Sequence, residues 1–110
     1  MSWFSSQALQ LAKQLAYRTG EATAEANLAS YYRLKGDYTA ALNKLFRSIR
    51  IYEQQHAIRS AAYNYLNISQ VYKDMSGSAR TLEYTNKGIV YSKYAYNLFK
   101  TIHDTYIYIV

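Results

Sequence analysis

The sequence predicts an all-α domain, built as antiparallel helical hairpins stacked into a short superhelical array of about six helices. Three observations predict it. Half of the 110 residues are hydrophobic, 14 are tyrosine and none is proline, a folded, helix-permissive composition. Small and apolar residues recur at a constant offset of forty residues without an insertion, the mark of a structural repeat. Each forty-residue unit holds two stretches of helical periodicity parted by a turn sequence.

The repeat is legible residue by residue. Ala8-Leu9 falls on Ser48-Ile49 and then on Gly88-Ile89, Ala22 on Ala62, Asn27-Leu28-Ala29 on Asn67-Ile68-Ser69, Tyr32 on Tyr72 and Leu42 on Leu82. Residues 3–18 read as the outer helix of a partial repeat. In the first full unit, residues 22–35 place Ala22, Leu28, Ala29 and Tyr32 on one face. Gly36 suits a left-handed helix end and Asp37 a cap for the helix that follows. That helix, 39–56, sets Ala41, Leu42, Leu45, Ser48, Ile49 and Tyr52 on one side and Lys44, Arg47 and Arg50 mostly on the other. The second unit repeats the plan over 60–75 and 79–97, with Ser76-Gly77-Ser78 as its turn. Residues 100–110 read as the inner helix of another partial repeat. The expected division of the single domain 1–110 is therefore 1–21, 22–61, 62–99 and 100–110, a chain that opens and closes mid-repeat, as a fragment of a longer protein would.

The phrases Glu25-x2-Leu28-Ala29-x2-Tyr32 with Ala41-x3-Leu45, and Tyr65-x2-Ile68-Ser69-x2-Tyr72, resemble the tetratricopeptide pattern W-x2-L-G-x2-Y followed by A-x3-F. The small residue and the tyrosine match in both units. No tryptophan opens a unit, no proline closes one, and the period is forty where the common repeat has about 34. Ala26-Asn27-Leu28-Ala29, Gly36-Asp37-Tyr38 and Leu66-Asn67-Ile68 look like the longer-period subgroup found in bacterial sensor kinases, peptide-responsive regulators and kinesin light chains. The resemblance implies recognition of a protein or extended peptide on a concave surface lined by the first helix of each unit.

With Ala29 and Tyr32 taken as packing positions, the residues turned to that surface are Thr23, Asn27, Ser30 and Arg33, repeated as Tyr63, Asn67, Gln70 and Lys73. A carboxamide carries both donor and acceptor and can pair with a peptide backbone, which makes Asn27 and Asn67 the sharpest candidates. Arg33 and Lys73 suit an acidic side chain or terminal carboxylate. The bland alternatives are carboxamides bonded to a neighbouring helix or to water, and solvated charges. Most tyrosines are expected in the core or at its rim.

Other chemistry finds no support in the residues. There is no cysteine, hence no disulfide and no thiolate zinc site. His56 and His103 lack metal-ligand spacing, and no nucleophile elbow or phosphate-binding glycine loop occurs, so neither catalysis nor a cofactor or metal is expected. The net charge of +6 is spread from Lys13 to Lys100 without a cluster, which favours acidic partners and argues against nucleic acid. No apolar run approaches a membrane span, and the expected location is the cytoplasm, with the periplasm open for part of a larger sensor. Trp3, Phe4, Leu11 and Leu15 at the front, and Ile102, Tyr106, Ile109 and Val110 at the back, are expected to lie uncovered and to favour a homodimer.

Overall fold

The computed structural model describes residues 3–77 and 80–109, with side chains described over 7–77 and 80–104. The described chain is all-helical: α1 (Trp3–Leu34), α2 (Tyr38–Gln54), α3 (Ile58–Met75) and α4 (Thr81–Ile109). Each helix packs antiparallel on the next, and α1 and α3 run parallel, linked by Arg33 and Asp74. The result is a slab of 62 × 35 × 15 Å.

Four helices stand where six were expected, because two expected boundaries do not break. Gly20 sits within α1 with no positive φ. A glycine inside a helix costs about 1 kcal/mol relative to alanine but does not end it without capping geometry. The other boundary, at 97–100, holds no glycine or proline, and Thr101 Oγ1 bonds back to the Asn97 carbonyl at 2.9 Å within the continuous α4.

The real helix ends show what Gly20 lacks. At Gly36 (φ 79°) the Gly36 and Asp37 amides donate to the Arg33 and Tyr32 carbonyls, at 3.0 and 2.9 Å. This is the Schellman pattern, and it satisfies carbonyls that the helix itself leaves unpaired. Asp37 then caps α2 by accepting from the Ala40 amide at 3.2 Å. The same pattern closes α2, where the amides of His56 and Ala57 donate to the carbonyls of Glu53 and Tyr52. There the left-handed position is His56 (φ 57°), so α2 stops two residues before its expected end.

The core runs along the middle of the slab through Ala22, Ala29, Ala41, Leu45, Ile49, Ile68, Val71 and Tyr72. One polar thread crosses it: Asn64 Nδ2 donates to Ser48 Oγ at 2.8 Å, and Ser48 Oγ donates to the Ala22 carbonyl at 2.7 Å. Three helices are thereby joined through groups that would each be costly to leave unpaired. α4 docks mainly through aromatics, with Tyr84, Tyr91 and Tyr94 against Tyr72 and Tyr65 and with Phe46 on Tyr91. Gly88 lies at that contact, where a Cβ would stand 3.4 Å from the Ser69 carbonyl oxygen, an ordinary van der Waals distance.

The forty-residue period holds from α1 to α3, where Ala22 and Ala62, Ala29 and Ser69 are buried in pairs. It does not describe how α4 meets α3. Thr23 bonds Tyr52, whereas its counterpart Tyr63 packs on Phe99, a step of 47 residues in the second helix. Glu25 pairs with Lys44, whereas Tyr65 stacks on Tyr91, again a step of 47. Relative to the period, α4 has slid seven residues, about two turns, which leaves each residue on almost the same helix face.

Residues before about Leu15 of α1 run past the end of α2, whose Gln55 reaches back to the Leu15 carbonyl. Leu11 and Leu15 are exposed, as expected, while Ile102 is half-buried. The side chains of Trp3, Phe4, Tyr106, Ile109 and Val110 lie outside the described residues. Among the described residues no helix is long and apolar enough to cross a membrane.

Candidate docking surfaces

The eight residues expected on the concave surface share one side of α1 and α3. Seven are exposed and Arg33 is half-buried, yet they do not form one uniform ladder. Thr23 is hydrogen-bonded to Tyr52 of α2 at 3.0 Å, and Ser30 to the Ala26 carbonyl at 3.5 Å. Tyr63 makes an edge contact with Phe99. Asn67 Nδ2 donates to Asn64 Oδ1 at 3.3 Å, which joins it to the buried polar thread. Asn27, Gln70 and Lys73 remain turned to solvent.

Arg33 is engaged within the chain. Its Nε and Nη2 donate to the two oxygens of Asp74 at 2.6 and 3.4 Å, a forked pair between α1 and α3. The bond to Asp74 raises the Arg33 pKa further above its ordinary value. Asp74 lies in the last turn of α3, where the helix dipole disfavours an acid, and Arg33 offsets that. Only Lys73 of the two expected cations makes no ion pair among the described residues.

Two spaces related by the repeat differ sharply in size. Between α1, α2 and α3 lies a small, half-open space of about 30 Å³ lined by Ala29, Ser30, Arg33 and Leu45, with Asn67 and Val71 of α3 on its other side. Between α3 and α4 lies an open groove of about 370 Å³ that includes Ser69, Gln70, Lys73 and Ser92 in its lining. Those four are the counterparts of the smaller space's α1 and α2 residues, at steps of forty on the first helix and 47 on the second. Gly88, Ile89 and Thr85 complete the groove floor beside Tyr84. The surface that α3 fills in the first hairpin therefore stands open on the second.

Exposed apolar side chains mark the same edge. Leu82, Ile89 and Tyr96 follow one another at seven-residue spacing along α4 and are 75 %, 48 % and 66 % exposed. The opposite edge of the slab, the side of α1 turned away from α3, carries Tyr17, Ala24, Leu28 and Tyr31, all exposed. The α3 counterparts of Ala24, Leu28 and Tyr31, namely Asn64, Ile68 and Val71, are buried. The sequence placed Leu28 on a packing face and aligned Leu82 with the packing residue Leu42, because nothing in a repeat pattern tells which unit lacks a neighbour.

Near this edge Glu25 Oε2 is buried without a hydrogen-bond donor, although Lys44 Nζ stands 3.4 Å away in an ion pair. Burial, then the 2.7 Å bond from its hydroxyl to Glu53, raises the Tyr65 pKa well above the ordinary tyrosine value, and burial raises that of Tyr72. Among the described residues no three histidine, aspartate or glutamate side chains group as a metal site. No known family model matches the chain, and no curated protein or solved structure shows significant similarity to it.

Proposed function

We propose that the chain is a non-catalytic, protein-binding scaffold of tetratricopeptide-type hairpins, whose α3–α4 groove receives an amphipathic helix of a protein partner. The observation that carries this reading is the pair of repeat-related spaces, about 370 Å³ open on α3–α4 and about 30 Å³ where α3 has filled the equivalent surface on α1–α2. The ligand chemistry follows from the helix already seated there: small or polar residues at the crossing, then aliphatic residues one and two turns on, as in Asn64, Ile68 and Val71. Such helix-in-groove docking draws its affinity from apolar burial and its register from the polar rim. Lys73 at the rim favours a helix with an acidic residue near its end.

The test is direct. A fluorescent, helix-stabilised peptide of residues 58–75 should bind saturably to the folded chain, and Ile89→Glu should weaken it at least tenfold with the circular dichroism unchanged. Absence of saturable binding would sink the proposal. A second reading places an extended peptide along the polar side of α1 and α3, supported by the exposure of Asn27, Gln70 and Lys73. If Asn27→Ala with Asn67→Ala abolishes peptide binding while Ile89→Glu does not, that surface is the site.

A further inference from the structure

We infer that the partner of the α3–α4 groove is the α1 edge of a second copy of this chain, so that copies stack head to tail and continue the repeat from one molecule into the next; this rests on the groove being a helix-docking site. Within one chain, α3 docks on the α1–α2 hairpin through Asn64, Ile68 and Val71, all buried. The repeat places Ala24, Leu28 and Tyr31 at the same positions of α1, where they are exposed, with Leu28 at 42 % and Tyr31 at 53 %. The chain thus carries both halves of one interface: an uncovered groove at one edge and, at the other, an uncovered helix of the type that fills such a groove.

The side chains that would meet are complementary. Val71 lines the small space beside Leu45, and the same superposition brings Tyr31 of the second copy over Ser92. Asn67 beside Ser30 becomes Asn27 beside Gln70, two carboxamides able to pair through donor and acceptor at once. Tyr65 donates to Glu53 at 2.7 Å in the internal junction. Its intermolecular equivalent sets Glu25, whose carboxylate pairs with Lys44 within the chain, on the side of the exposed Lys100. Glu21 and Glu25, the only acidic residues of α1, pair within the chain with Arg18 and Lys44, and Lys73, Lys93 and Lys100 are exposed on α3 and α4. Because the two surfaces differ, the contact is heterologous, and it propagates rather than closing into a two-fold dimer.

Sedimentation of the whole chain from micromolar to millimolar concentration tests this. The parent is expected to grow beyond a dimer as concentration rises. Leu28→Glu, which spoils only the α1 edge, and Ile89→Glu, which spoils only the groove, should each be monomeric. Mixed in equal amounts they retain one intact pair of surfaces and should form a discrete one-to-one dimer that does not grow. Leu28→Gln and Ile89→Gln replace them if either charged variant loses helical signal. A parent that stays monomeric, a mixture that stays monomeric, or a single variant that still dimerises overturns head-to-tail stacking. Binding of the 58–75 peptide to a chain that does not self-associate would overturn the stacking alone and leave the groove as a docking site.

Discussion

Ala29→Leu tests the crossing on which the hairpin geometry depends. Ala29 is 2 % exposed, and the half-open space beside it amounts to about 30 Å³. Leucine adds three carbons at a buried position with little space beside it. The excess must be met by off-rotamer side chains at Leu45 and Val71 or by parting of the helices, at a cost of roughly 1–3 kcal/mol. For a chain of this length about 1 kcal/mol corresponds to about 4 °C of melting temperature, so the expected loss is roughly 4–12 °C. Ala29→Ser is the control. Serine occupies the counterpart position at Ser69, where its hydroxyl donates to the Leu66 carbonyl at 2.7 Å, so this change should cost less than about 1 kcal/mol. Thermal unfolding followed by circular dichroism reads both. If the leucine variant melts with the parent, the close crossing at Ala29 is not real and the equivalence of α1 with α3 falls with it.

Two further perturbations read the turns and the aromatic seam. His56→Gly should stabilise the fold by about 1 kcal/mol, because a side chain in the left-handed region is strained and glycine is not; urea denaturation showing no gain would contradict the Schellman end of α2. The Tyr65 and Tyr72 pKa values are raised in the fold, so the stability they contribute is complete below the ordinary tyrosine value of about 10 and is lost as pH rises through their folded values. Denaturation midpoints should therefore be flat between about pH 8 and 9 and decline above about 10, with a smaller decline for Tyr65→Phe. An equal decline in that variant would refute Tyr65 as a source of the alkaline sensitivity.

By itself the sequence determined the helical class, much of the buried faces and the first turn, though not the exposure of Leu28 and Leu82. Helix faces follow from a 3.6-residue period that burial of Ala22, Ala29, Leu45 and Ile49 respects, and Gly36-Asp37 ends one helix and caps the next through backbone chemistry confined to a few residues. Seven of the eight residues expected at the concave surface are exposed for the same reason of periodicity. Tertiary structure decided what is not local. Whether Gly20 or 97–100 breaks a helix depends on whether a following segment can fold back and pack, and no composition rule records that. The slide of α4 by two turns is invisible to a pattern that returns to the same face after seven residues; the stacking of Tyr91 between Tyr65 and Tyr72 accompanies it. The open groove is the clearest case. Ser69, Gln70 and Lys73 stand at the repeat positions of Ala29, Ser30 and Arg33, which α3 covers one hairpin earlier, and the three-dimensional order of the helices leaves them without a cover.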